Sequence, residues 1–195
     1  MRLFSRLAVA LLLTLTLSRA WADDTYELDA AHCRIGFAVD HMVVNTVHGQ
    51  FNEFAGAVTY NAETKQLTGA EATIQVKSIN TGIAKRDDHL RNADFFDVEK
   101  HPTITFKASK VEVSGAEQVL VGELTMHGVT KALRLPAKVK GPIINPWGKS
   151  VLGVAASASI DRREFGLTWS KAMESGGLVV DHQVTLNINL EVIKK

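Results

Sequence analysis

Three stretches of the chain alternate apolar and polar positions. Arg34–Met42 sets Ile35, Phe37, Val39 and His41 against Arg34, Gly36, Ala38 and Asp40. Ala70, Ala72, Ile74 and Val76 alternate with Glu71, Thr73, Gln75 and Lys77. Val184, Leu186, Ile188, Leu190 and Val192 alternate with Gln183, Thr185, Asn187, Asn189 and Glu191. A period of two with one apolar face predicts antiparallel strands, wet on one side. Weaker runs cover Ala57–Tyr60, Thr103–Lys107, Val119–Met126, Ala132–Val139 and Val151–Ile160. Turn residues separate them at Asn61-Ala62-Glu63, Ser114-Gly115, His127-Gly128 and a loop over Gly141–Gly148. About eight closely spaced strands predict an all-β antiparallel barrel or sandwich.

Two segments break the rhythm. Ile83–Phe96 reads as one short helix, with Ile83 and Leu90 on one side and Asp87 and Asp88 in its N-terminal half. Asp161–Gly177 is irregular and carries Phe165 and Trp169. The sequence shows no linker or internal repeat, so the expectation is one domain.

The first residues stand apart from that domain. Arg2 and Arg6 precede the apolar run Leu7–Leu17, and Ala20-Trp21-Ala22 follows as a small-x-small site. This order is that of a secretory signal peptide over residues 1–22, leaving a domain over 23–195. The run has 11 residues, too few for the ~20 that span a bilayer. No other stretch approaches that length, so the mature chain is not expected to span a membrane. Charge adds little: 22 basic against 21 acidic residues gives +1, with no strong field pointing to nucleic acid. With Cys33 as the one cysteine, no intramolecular disulfide forms despite export. The favoured reading of Cys33 is a small, half-buried strand residue rather than a reactive thiol.

Catalytic signatures are missing. There is no G-x-S-x-G, H-E-x-x-H or G-x-G-x-x-G, and Gly148-Lys149-Ser150 lacks both the leading glycine and the βαβ setting of a P-loop. The seven histidines include no i, i+4 pair. His32 and His41 would face opposite sides of one continuous strand. Separate histidines bonded to backbone are favoured over a metal site, which needs several to converge. The run Lys85-Arg86-Asp87-Asp88-His89 fits either a solvated helix face or a polar ligand contact, with the balance toward the former. Small residues are more informative. The inward face Leu152, Val154, Ala156, Ala158, Ile160 and the pair Ala70, Ala72 leave room inside an eight-stranded barrel. Bulky neighbours filling that space remain the alternative.

Ordered blocks along nearly all of the mature chain resemble the YceI-like, polyisoprenoid-binding family. They begin at Tyr26-Glu27-Leu28-Asp29 with His32, and continue at Gly49-Gln50-Phe51 and Ser78-Ile79-Asn80-Thr81. Arg86-Asp87-Asp88-His89-Leu90, Asp94-Phe95-Phe96-Asp97-Val98 and His101-Pro102-Thr103-Ile104-Thr105-Phe106 follow. The last blocks are Gly122–Thr130, Arg162–Gly166 and Val184-Thr185-Leu186. The resemblance implies an extended, lipocalin-like antiparallel barrel holding an isoprenoid or other long-chain amphiphile. It also implies a periplasmic or secreted bacterial protein, often a homodimer, with no established catalysis.

The candidate ligand contacts are drawn from the strands and from the two segments that break their rhythm. Ile35, Phe37, Val39 and Phe51 come from the first strands, and Ile74, Phe106 and Leu124 from the middle of the chain. Val154, Ala156, Ala158, Leu186 and Ile188 come from the last strands, and Phe95, Phe96, Phe165 and Trp169 from the irregular segments. His41, Arg86, Asp87 and His89 are the polar candidates for the mouth. Arg86 in particular suits a phosphate or carbonyl, because its planar fork donates several bonds. The expected function is a non-enzymatic periplasmic carrier of a prenyl phosphate or quinone-type lipid, with no cofactor and no nucleic acid. The rivals are a packed β-domain serving as a protein-interaction module and a His-dependent metalloenzyme.

Overall fold

The computed structural model describes residues 23–115, 117–173 and 176–195; the expected leader over residues 1–22 lies outside them. Eleven strands are seen: β1 (Asp24–Leu28), β2 (Arg34–His41), β3 (Asn45–Phe51), β4 (Phe54–Asn61), β5 (Gln66–Gln75), β6 (Ile79–Asn80), β7 (Thr103–Ser114), β8 (Glu117–Met126), β9 (Val129–Ile144), β10 (Ser150–Asp161) and β11 (Val180–Lys194). Eight of them, β1-β4-β5-β7-β8-β9-β10-β11, close into an antiparallel barrel when β11 pairs back to β1. Closure pairs the two ends of this eight-strand wall with each other.

The wall forks at β11. One of its edges runs the length of β10. The other is shared in series, by β1 at Val192–Lys194 and by β2 at Val180–Asn189. From β2 the sheet continues through β3 to the two-residue β6. The chain crosses from one branch to the other in the Leu28–Arg34 turn, fastened by the amide of Asp29 on the Glu191 carbonyl at 2.9 Å. Cys33 lies in this turn rather than on a strand. It is half-buried, and its thiol donates to the Glu191 carbonyl at 3.1 Å. Burial pushes that thiol's pKa up, which makes it a poorer nucleophile.

One end of the barrel is packed solid. Tyr26, Tyr60, Leu67, Leu152 and Val192 are essentially inaccessible there, and the two tyrosine rings meet edge-on at 6.2 Å. The buried Gln118 satisfies both ends of its amide. It accepts from the Leu67 amide at 2.7 Å and donates to the Lys65 carbonyl at 3.0 Å. The other end is covered by the helix α1 (Ala84–Arg91), the turns that follow it, and the segment after β10.

Two expected boundaries move. The helix stops at Arg91 instead of reaching Phe96. Asn92 turns extended, and its side chain accepts from the Asp94 amide at 2.9 Å, an Asx turn that competes with helix. The first half of the loop expected over Gly141–Gly148 is instead the end of β9, which runs to Ile144. Ile144 and Ile143 pair with Ser150 and Val151, and a bulge between Val151 and Gly153 absorbs the irregular Gly141-Pro142 stretch. Only residues 145–149 turn, with the Asn145 side chain accepting from the amides of Trp147 and Lys149.

Candidate ligand cavity

Above the packed end the barrel interior is open. The cavity measures about 180 Å³, room for on the order of a dozen waters at the ~10–15 Å³ each needs. Its wall is almost wholly aliphatic and aromatic. Of the expected contacts, Ile35, Phe37, Val39, Phe51, Ile74, Phe95, Phe96, Phe106, Leu124, Val154, Ala156, Leu186 and Ile188 line it. The strand pairing explains why. Ala156 opposes Ile188, Phe37 opposes Leu186, and Phe106 opposes Leu124, so each inward position meets another inward position.

Where the wall needs bulk, glycine makes space for it. A Cβ on Gly49 would lie 2.3 Å from the Phe37 ring. The ring lies across the glycine directly opposite it on β3. It then reaches Phe51 at 5.9 Å, and Phe51 reaches Phe96 at 6.1 Å. Ala70 and Ala72 on β5 also line the cavity. A larger residue there would project into that space.

Seven of the expected contacts do not line the cavity. His41 lies at the end of β2, paired with Val180. Asp87 is buried, but its carboxylate accepts from the amide and hydroxyl of Thr81 at 2.9 and 2.6 Å. Arg86 donates to the Thr81 hydroxyl and carbonyl at 2.7 and 2.8 Å. Both therefore fix the start of α1 to the β6 segment. His89 pairs with Asp94 at 2.9 Å and meets Phe95 and Trp169 edge-on at 5.1 and 5.2 Å. Trp169 backs Phe95 from outside the wall, at 5.1 Å. Phe165 is buried in the core, its carbonyl accepting from His127 at 3.1 Å, and Ala158 packs partly buried against the same core.

Sequence reasoning missed one wall residue of a different kind. Arg162, at the covered end, is 4% exposed and lines the cavity. Its guanidinium donates to three backbone carbonyls: Asp181 at 2.7 Å, Val180 at 3.1 Å, and Leu167. The even-numbered alternation from Leu152 to Ile160 continues to Arg162, and that parity was the available signal.

A metal has one place to go among the described residues. Asp29, His32 and Glu191 bring ligand atoms within 4.8 Å of one another. The group sits outside the cavity, where the exposed His32 ring is hydrogen-bonded to Asp29 at 2.9 Å. That bond raises the His32 pKa and lowers that of Asp29.

The model of the YceI-like domain matches residues 26–192. The chain belongs to the YceI-like family. Among relatives of this YceI-like chain, a UPF0312 protein of Pectobacterium carotovorum is 35% identical over 147 residues, 75% of this chain and 77% of that protein. A YCEI protein of Campylobacter jejuni superposes with a TM-score of 0.70 at 26% identity, covering 80% of this chain and 90% of that one. A polyisoprenoid binding domain from Saccharophagus degradans, implicated in plant cell wall breakdown, gives a TM-score of 0.64 at 18% identity. It covers 87% of this chain and 98% of that one, and at this identity it speaks to the shared fold.

Proposed function

We propose that this YceI-like protein binds and carries a long-chain amphiphilic lipid of polyisoprenoid type, without catalysis, in the periplasm. The observation that carries the reading is the cavity inside the barrel, whose wall is almost wholly aliphatic and aromatic. β11 alone contributes Val180, Val184, Leu186, Ile188 and Leu190 to its wall. About ten residues at ~3.3 Å each, on strands tilted by ~40°, give a cavity about 25 Å long. An extended carbon chain with ~1.5 Å bonds advances about 1.3 Å per carbon, so this length suits a chain of about 20 carbons. Burial supplies the driving force, at ~0.8 kcal/mol per CH₂.

The polyisoprenoid binding domain of Saccharophagus degradans shares the fold and supports the choice of ligand class. The YceI-like family match and the binding domain that shares the fold support a binding protein over an enzyme. The periplasmic location rests on the leader-like order of Arg2, Arg6, Leu7–Leu17 and Ala20-Trp21-Ala22. Intact mass of the exported protein tests the location: a chain beginning at Asp23 supports it, and retention of residues 1–22 counts against it. Binding is tested by titrating delipidated protein with saturated chains of increasing length. Affinity should rise with each added pair of carbons up to about 20 and then level off. No dependence on length would contradict the reading.

A further inference from the structure

We propose that Arg162 gives the cavity a preference for a lipid with an acidic head, a phosphate or carboxylate, seated at the covered end. The inference rests on the cavity being the lipid site. A guanidinium carries five N–H groups. Three of Arg162's reach backbone carbonyls, and the other two have no partner among the described residues. Carbonyls satisfy donors but bring no counter-charge. The two acids whose charges reach Arg162, Asp161 and Asp181, are hydrogen-bonded elsewhere. Asp161 is held by Arg163 through both carboxylate oxygens, at 2.5 to 3.1 Å. One carboxylate oxygen of Asp181 accepts from the amides of His182 and Gln183. Burial pulls the Arg162 pKa down from its ordinary value, yet an arginine stays charged in proteins. The wall therefore holds a desolvated cation with no hydrogen-bonded carboxylate of its own, at one end of an apolar tube. A buried charge is stabilised by a paired, hydrogen-bonded opposite charge, and a guanidinium suits the oxygens of phosphate or carboxylate.

The chain then runs away from Arg162 toward the packed end, past Ala156 and Ile188 to Leu190. This orientation places the charged atoms by α1 and the segment after β10, and the tail against Leu28 and Leu120.

The test uses delipidated mature protein and three probes: geranylgeranyl phosphate, geranylgeraniol and inorganic phosphate. They separate the head from the chain and a lipid head from a free anion. The phosphate ester should bind at least about tenfold more tightly than the alcohol, as expected for hydrogen bonds to a charged group. Inorganic phosphate at millimolar concentration should not erase that advantage. Equal affinity for ester and alcohol would overturn the inference while leaving the cavity reading intact. Loss of the advantage in the presence of inorganic phosphate would also overturn it, by assigning the site to a free anion. Binding of neither prenyl compound would instead overturn the cavity reading, and the inference with it. Arg162→Met should cancel the preference for the ester over the alcohol, whereas Arg86→Gln should keep that preference. The comparison on the unsubstituted protein decides the matter even if Arg162→Met fails to fold.

Discussion

Replacing Ala156 by phenylalanine puts a ring into the deep third of the cavity. Ala156 lies opposite Ile188 on β11, and the wall continues from there to Leu190, Leu28 and Leu120. From the level of Ile188 to the packed end the cavity runs about 5–8 Å along the barrel axis, at ~3.3 Å per residue and ~40° tilt. The ring closes that stretch and displaces about 4–6 carbons of a full-length chain, at ~1.3 Å of advance each. At ~0.8 kcal/mol per CH₂ the loss is about 3–5 kcal/mol, or roughly two to three and a half decades in Kd. A chain of about 14 carbons, ending short of Ile188, should bind Ala156→Phe nearly as well as the parent protein. The lipid-free variant should lose less than ~1 kcal/mol of stability, because the ring occupies open space rather than the ~1–3 kcal/mol overpacking of a filled core. Titration calorimetry with chains of about 14 and 20 carbons, together with thermal unfolding of both delipidated proteins, reads all three quantities. Equal weakening of short and long chains would refute the placement of the tail at the packed end. Loss of stability with both affinities unchanged would refute a cavity at Ala156 altogether.

Three further outcomes follow from the same structure. A Cβ on Gly122 would lie 2.2 Å from the Lys107 carbonyl oxygen and 2.7 Å from the Ala108 Cα, beside the bulge in β7; Gly122→Ala should therefore destabilise the barrel by about 1–3 kcal/mol in chemical denaturation. The Arg163 guanidinium depresses the Asp161 pKa to about 2 in the folded state from an ordinary 3.8, so its contribution is complete above about pH 4 and is lost as pH falls through about 2. Unfolding curves between pH 2 and 5 should show a weaker acid dependence for Asp161→Asn than for the parent. Cys33→Ser keeps a hydroxyl donor for the Glu191 carbonyl and should leave lipid affinity unchanged in the same titrations.

The barrel and most of its wall were legible in the sequence because alternation is a direct record of a wet outer face. It placed Ile35, Ile74, Val154, Ala156, Leu186 and Ile188 on the inner surface, where the cavity has them. β1 and β3 escaped notice because Asp24–Leu28 and Asn45–Phe51 are short or polar, and their pairing with β4, β11 and β2 comes from distant parts of the chain. The polar candidates show the other limit. Charge density at Lys85–His89 is a property of sequence, but whether Arg86 and Asp87 face a ligand or Thr81 depends on a turn that no periodicity records. Arg162 and Arg163 are adjacent and chemically identical. Strand parity sends the first inward, and Asp161 draws the second outward.

The central claim is that the barrel interior holds a long apolar chain. Native mass spectrometry of the protein, made in a bacterial host with its own leader and purified without detergent, addresses it most directly. The account predicts a chain beginning at Asp23 that carries a long-chain lipid, released when the protein is extracted with organic solvent. A bare chain, unchanged in mass after incubation with a 20-carbon amphiphile, would contradict it.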